Sequence, residues 1–221
     1  MFELNPDLKI KEEILLGSKI FIIYNFYKNP DEVYDFLFNR EVPLWKMDEK
    51  PSFNTIHFID KRLSEYDERL VPVIGFLSYL CNQDADSHEI INNMQRFFKN
   101  DFNDNKNCYW WPHHDSGYNG IVYFNKGDNT SGTNLYSIVK EKNDDFPEHY
   151  RPWRPKEDFE ILKTLEPEYN RLVFFDGLKF LHGANFPDDR YFGEEYRTNQ
   201  VFFFLGYEEY DEEDDDDDED Y

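Results

Sequence analysis

From about residue 90 the chain is a succession of short apolar and aromatic runs closed off by Gly, Asn or Asp, and no other feature constrains the fold as much. Cys108 to His114, Gly120 to Asn125, Thr133 to Val139, Arg171 to Asp176, Lys179 to His182 and Thr198 to Gly206 have the length and the β-branched or aromatic content of strands. Ile90 to Phe98 fits a helical period as well, but its aromatic bias favours a strand. The 22 Phe, 16 Tyr and 4 Trp suit a pleated surface better than a helix. Several short strands at close spacing predict a sandwich or barrel. One domain over residues 1–207, with a β core over about 90–206, accounts for the length.

The N-terminal part reads differently. Lys19 to Phe26 is a compact strand. Asn29-Pro30-Asp31-Glu32 then has the form of a helix start, with a capping Asn, Pro in the first turn and acids at the positive end. Val33, Phe36 and Leu37 follow on one stripe. A second helix is expected from Val71 to Leu80, burying Val73, Phe76, Leu77 and Leu80. The stretch 140–168, rich in Pro, Trp and charge, interrupts the strand pattern and reads as a lid-like insertion, with Arg151, Trp153 and Arg154 as candidates for substrate contact or for ordinary loop packing. Residues 208–221 cannot build a core and are expected to be disordered.

The formal net charge is −23, and twelve of the acids lie between residues 208 and 220, leaving −11 on the rest. An acidic body repels phosphate backbones, which excludes nucleic acid as a direct partner. No apolar run reaches the ~18 residues of a membrane span, and the start MFELNPDLKI has no apolar run of a secretory leader. Cys81 and Cys108 have neither metal-ligand spacing nor a disulfide framework and read as reduced core thiols. A soluble protein of the reducing cytoplasm is therefore expected. The sequence leaves the oligomeric state open.

Within the β region, His113-His114-Asp115 is followed 67 residues later by His182 and then by Arg197. On an extended strand His113 and Asp115 project to the same side and His114 to the other. With His182 at the end of another strand, two imidazoles and one carboxylate make a facial ligand set with open positions, which favours ferrous iron, although zinc can bind the same groups. His57, His88 and His149 read as ordinary packing residues. Arg197 opens a strand, where a guanidinium fork suits a carboxylate; Arg190, among Asp188, Asp189 and Tyr191, is the competitor and reads as a surface ion pair. Tyr123 can aim its hydroxyl inward from the strand after the metal pair or simply pack. Tyr109, Trp111 and His113 alternate and should share a face.

These segments resemble the 2-oxoglutarate and Fe(II)-dependent oxygenase superfamily, in its prolyl-4-hydroxylase-like branch. KIFIIYNF with NPDEVYDFL resembles the opening strand and helix of that branch. IVYFN resembles its cosubstrate-binding strand, LVFFDGLKFLHG the strand-turn-strand that carries the distal His, and RTNQVFFF the strand with the cosubstrate-binding Arg. The resemblance covers most of residues 18–206. It implies a mainly β fold with N-terminal helices, a double-stranded β-helix or distorted, cupin-like jelly roll. It implies that His113, Asp115 and His182 hold Fe(II), and that Arg197, Tyr123, Asn199 and Ile121 contact 2-oxoglutarate. The implied reaction uses O2, with ascorbate in support, to hydroxylate a C–H bond of a peptidyl proline, a free amino acid or another small metabolite. Asp115 keeps the carboxylate ligand in place, which favours hydroxylation over halogenation. The pattern departs from the family in three places: 15 residues separate His182 from Arg197, Ser131-Gly132 stands where Gly-Gly is usual, and the loop from Asp115 to Gly120 is short. Two other classes fit less of the sequence. One is a metal-stabilised jelly-roll scaffold, which would tolerate loss of Arg197. The other is a zinc hydrolase, which needs a general base that the sequence does not name.

Overall fold

Leu16 and Gly17 both adopt positive φ, 48° and 78°. That left-handed pair matches the twist of a tight hairpin, and it joins β1 (Lys9–Leu15) to β2 (Ser18–Tyr24). The structure, a computed structural model, describes residues 1–38, 45–46, 59–60, 68–83, 88–95, 107–127, 130–140, 153–191 and 195–205. Helix α1 (Pro30–Phe38) follows the hairpin, with Asp31 and Glu32 in its first turn and Val33, Leu37 and Phe38 buried. Asn29 supplies the carbonyl that receives Val33 N–H, while its side-chain amide reaches Glu32. Helix α2 (Val71–Cys81) has Pro72 in its first turn and ends at Asn82, whose φ of 55° closes the C-terminus with an N–H bond to the Ser78 carbonyl.

The remaining elements are strands: β3 (Trp45–Lys46), β4 (Ile59–Asp60), β5 (His88–Gln95), β6 (Cys108–Trp110), β7 (Gly117–Tyr123), β8 (Thr133–Ile138), β9 (Trp153–Pro155), β10 (Phe159–Leu165), β11 (Arg171–Asp176), β12 (Leu181–Ala184) and β13 (Arg197–Leu205). The fold is mainly β. A six-stranded antiparallel sheet has the order β1-β2-β11-β7-β13-β5, and a three-stranded sheet the order β10-β8-β12. Two-stranded ladders join β3 to β4 and β6 to β9.

Strand alternation gives the large sheet two apolar faces and therefore two cores. Phe21, Ile23, Val122, Leu172, Phe174, Phe202 and Phe204 form one core with the buried stripes of α1 and α2. Ile20, Ile22, Ile121, Tyr123, Val173, Phe175 and Val201 point the other way and pack on Leu135, Leu165 and Phe180, which come from the β8, β10 and β12 side. Each large apolar side chain buried in this way contributes about 1.5–3 kcal/mol. The N-terminus is tied to the same frame by Asn170, whose amide exchanges two hydrogen bonds of 2.8 Å with the Tyr27 backbone, and by the Tyr27 hydroxyl, which donates to Gln200 at 2.6 Å.

Three expectations change here. The strand expected to run from Cys108 to His114 stops at Trp110, because Trp111 takes a positive φ of 35° and turns the chain. The supposed loop from Asp115 to Gly120 is largely strand, since β7 begins at Gly117. Much of the stretch read as an insertion is also built into the sheets: β9 pairs with β6, and β10 pairs with β8 on both sides of a register shift between Ile161 and Lys163 and buries Leu165. Residues 141–152, the acidic tail, His57 and His149 lie outside the described residues. No helix among the described residues is long and apolar enough to cross a membrane.

Candidate metal centre

One backbone bridge assembles the site. His113 N–H donates to the His182 carbonyl and His182 N–H to the His113 carbonyl, both at 2.9 Å, so the two residues are directly opposed. Directly opposed residues bring their side chains together, and the imidazole centroids are 4.5 Å apart. Asp115 joins them from the lead-in to β7, its N–H held by the Gly177 carbonyl at 3.2 Å. The Asp176-Gly177 turn that provides this carbonyl is closed by Asp176 Oδ1, which accepts from Leu178 and Lys179 N–H. Gly183, next to His182, lets β6 approach closely: a Cβ there would lie 2.3 Å from the Trp110 carbonyl oxygen.

His113, Asp115 and His182 each offer one ligand atom, all within 4.8 Å of one another. His182 Nε2 is 3.0 Å from Asp115 Oδ2, and His113 Nε2 is 3.7 Å from Asp115 Oδ1. His114 is exposed and lies outside the group.

The tautomers follow from the carbonyls behind the rings. His113 Nδ1 is 2.6 Å from the Trp111 carbonyl oxygen, and His182 Nδ1 is 2.9 Å from that of Phe180. A carbonyl only accepts, so each Nδ1 carries the proton, and in the neutral rings both Nε2 lone pairs face the carboxylate. At 3.0 Å from a carboxylate oxygen, His182 Nε2 makes an ion pair with Asp115 when it carries a proton and presents a lone pair to a bound cation when it does not. Two oriented imidazoles and a carboxylate therefore fit a divalent metal, with the Nδ1–H bonds as the usual outer support of histidine ligands. For Asp115, burial acts to raise the pKa, but the hydrogen bond and charge of His182, with smaller contributions from His113 and Asn119, outweigh it and hold the carboxyl below its ordinary value.

Asn119 is a site residue that the sequence did not reveal. It is 1% exposed, its Nδ2 donates to Asp115 Oδ2, and the same nitrogen is 3.0 Å from His182 Nε2. Trp111 also gains a role. It does not continue a flat alternation with Tyr109: Tyr109 packs on Tyr136 at 4.9 Å, whereas the turn at Trp111 brings its ring to 6.4 Å from His113. A bulky residue at positive φ carries about 1–3 kcal/mol of backbone strain, and here that conformation presents the carbonyl that orients His113.

Arg197, Asn199 and Val201 alternate along β13 on the same face as Ile121 and Tyr123 of β7, with Asn199 directly opposite Tyr123. Arg197 is 5% exposed, packs over the Tyr123 ring at 5.9 Å, and reaches the Ser131 and Gly132 carbonyls at 3.4 and 3.3 Å. Burial lowers its pKa, partly offset by Tyr123 and Tyr191. Burial pushes the Tyr123 hydroxyl up, against the Arg197 charge and a 2.8 Å contact with Thr133 Oγ1. Both polar atoms of the Asn199 side chain are buried with no hydrogen-bond partner among the described residues. Arg190, by contrast, is partly exposed and forms an ion pair with Glu195 at 3.4 Å. The side chain of Trp153 and all of Arg151 lie outside the described residues, and Arg154 is partly buried beside β6.

No protein-family model matches this chain, and no curated protein sequence matches it at a significant level.

Proposed function

We propose that the protein is a non-haem Fe(II)- and 2-oxoglutarate-dependent oxygenase that hydroxylates a C–H bond of a peptidyl side chain, such as proline, or of a small metabolite. The observation that carries this reading is the convergence of two Nδ1-protonated histidines and one carboxylate, with no fourth His, Cys, Asp or Glu in the group among the described residues. The strand order supports a double-stranded β-helix: β5, β7, β11 and β13 lie in the large sheet, while β8, β10 and β12 form the opposing sheet, which the His113–His182 bridge extends toward β6.

His113, Asp115 and His182 would hold the iron. Iron with bound 2-oxoglutarate supplies the oxidising chemistry, coupling decarboxylation to succinate and carbon dioxide with insertion of one oxygen atom from O2. The protein's part is binding and orientation. Arg197 fits the distal carboxylate of the cosubstrate through its donor fork, with the Tyr123 hydroxyl beside it. The unpartnered amide of Asn199 offers a donor and an acceptor at the same inner face. Ile121 and Val201 give that face its apolar wall, and the low polarity around Arg197 strengthens any charge pairing there.

The test is succinate release from 2-oxoglutarate by the purified protein with ferrous iron and ascorbate, followed by a peptide and metabolite screen for a gain of one oxygen. No succinate and no 2-oxoglutarate affinity, with metal still bound, would replace this reading with a metal-stabilised scaffold.

A further inference from the structure

β1 forms one edge of the six-stranded sheet, and among the described residues no strand pairs with its outer side. It is seven residues long, has no proline, and pairs with β2 in unbroken register. Edges of this kind are templates for another strand unless something blocks them. Ile10, Ile14 and Leu16 are 46%, 71% and 75% exposed on this edge.

Hairpin geometry fixes which backbone groups face outward. Leu15 and Ser18 close the two-residue turn and bond each other, so Leu15, Glu13, Lys11 and Lys9 direct their backbone groups toward β2. Ile10, Glu12 and Ile14 therefore direct theirs away from the sheet. An antiparallel copy can meet them in a few two-fold registers, which differ in charge. Centred on Lys11, the register sets two lysines against each other in a close, non-hydrogen-bonded pair. Centred on Glu13, it does the same with two glutamates. Centred on Glu12, it sets Lys11 against Glu13 in both directions and Ile10 against Ile14 in both directions. Its one like-charged pair, Glu12 with Glu12, falls at the wider hydrogen-bonded position, and Lys19 already neutralises each Glu12 at 3.1 Å.

We infer that β1 is a self-association edge, on which a second copy of this chain pairs antiparallel about Glu12 and continues the large sheet across the two-fold axis. Lysines on an edge normally prevent pairing. In this register Lys9 faces Leu15 and each Lys11 faces a glutamate. Lys11 and Glu13 already pair within one chain at 2.7 Å, with Lys163 also on Glu13 at 2.7 Å, so the axis brings together a square of alternating charges with Ile10 against Ile14 beside it. The Lys11-centred register offers only Lys9 to Glu13 and opposes two lysines at its centre. The interface is small, so the dimer forms reversibly with concentration. Two strands, β2 and β11, separate β1 from β7 and the metal centre, and the inference does not rest on the proposed activity.

Sedimentation of the full-length chain over a concentration series tests it. The mass should rise from 26.9 kDa toward twice that value. Glu12→Pro removes an outward N–H that β2 does not use and should leave a monomer with an unchanged circular dichroism spectrum. Lys11→Glu and Glu13→Lys should each be monomeric alone, since each sets like charges against each other, and should associate when mixed, because the mixed pair restores both attractions. A wild-type chain that stays monomeric at its solubility limit would overturn the inference. So would a dimer that persists in all three variants, or variants that fail to associate on mixing.

Discussion

Arg197→Met should separate cosubstrate binding from metal binding. Methionine keeps much of the side-chain volume against Tyr123 and Tyr191, so packing on the inner face of β13 is retained. The hydrogen bonds lost to Ser131 and Gly132 are long, 3.4 and 3.3 Å, so each of these two contributes little to the metal-free fold. The bound state loses much more, because a cosubstrate carboxylate would be left without its guanidinium at a position that is 5% exposed. Removing one partner of a buried pair costs about 3–5 kcal/mol, which at about 1.4 kcal/mol per tenfold corresponds to roughly two to four orders of magnitude in Kd. Anaerobic calorimetry with the Mn(II)-loaded protein measures 2-oxoglutarate affinity and Mn(II) affinity separately. The first should fall by that factor, and the second should change by less than about threefold, since Arg197 is outside the ligand group. Equal 2-oxoglutarate affinity in wild type and Arg197→Met, with a loss in Arg190→Met instead, would refute the assignment.

Other consequences can be checked alongside. Asn119→Ala removes a charge-assisted hydrogen bond to Asp115, so Mn(II) affinity should fall about tenfold with little change in melting temperature; unchanged affinity would show that Asn119 does not orient the carboxylate. Gly183→Ala places a methyl group 2.3 Å from a backbone oxygen, which must push β12 away from β6; thermal melting and metal titration should both decline, and normal values for both would contradict the close approach. Burial pushes the Cys81 thiol up to about 11, so at pH 8 it is almost entirely protonated and should resist iodoacetamide until the protein unfolds, as peptide mass mapping would show.

The sequence exposed those parts of the molecule whose local pattern matches their final environment. β11 is apolar through its length because both of its faces are buried, and it was legible from Arg171 to Asp176. The helices were legible because α1 and α2 each bury one stripe. β1 was not recognised, since its isoleucines alternate with Lys and Glu and remain largely exposed, which makes it read as solvated chain. β10 was hidden by its charged residues and by the register shift between Ile161 and Lys163, which breaks strict alternation. At the site, two-residue spacing did identify His113 and Asp115 as neighbours, but the means differ from a straight strand: a left-handed Trp111 and a single bridge to His182 set the geometry. Asn119 carried no local signal. It matters only because the sheet places it under both Asp115 and His182, and no short-range pattern encodes that placement.

The alternation along β13 assigns neighbouring residues to separate duties. Gln200, Phe202 and Phe204 belong to the layer shared with the helices, whereas Arg197, Asn199 and Val201 share the opposite face with Ile121 and Tyr123, the face on which the proposed cosubstrate would lie. A saturation scan through this segment should therefore trace a sawtooth, with thermal tolerance lost at one parity and chemical selectivity at the other. Evolution could retune what the inner wall accepts by changing every second codon, while the scaffold that bears it stays the same.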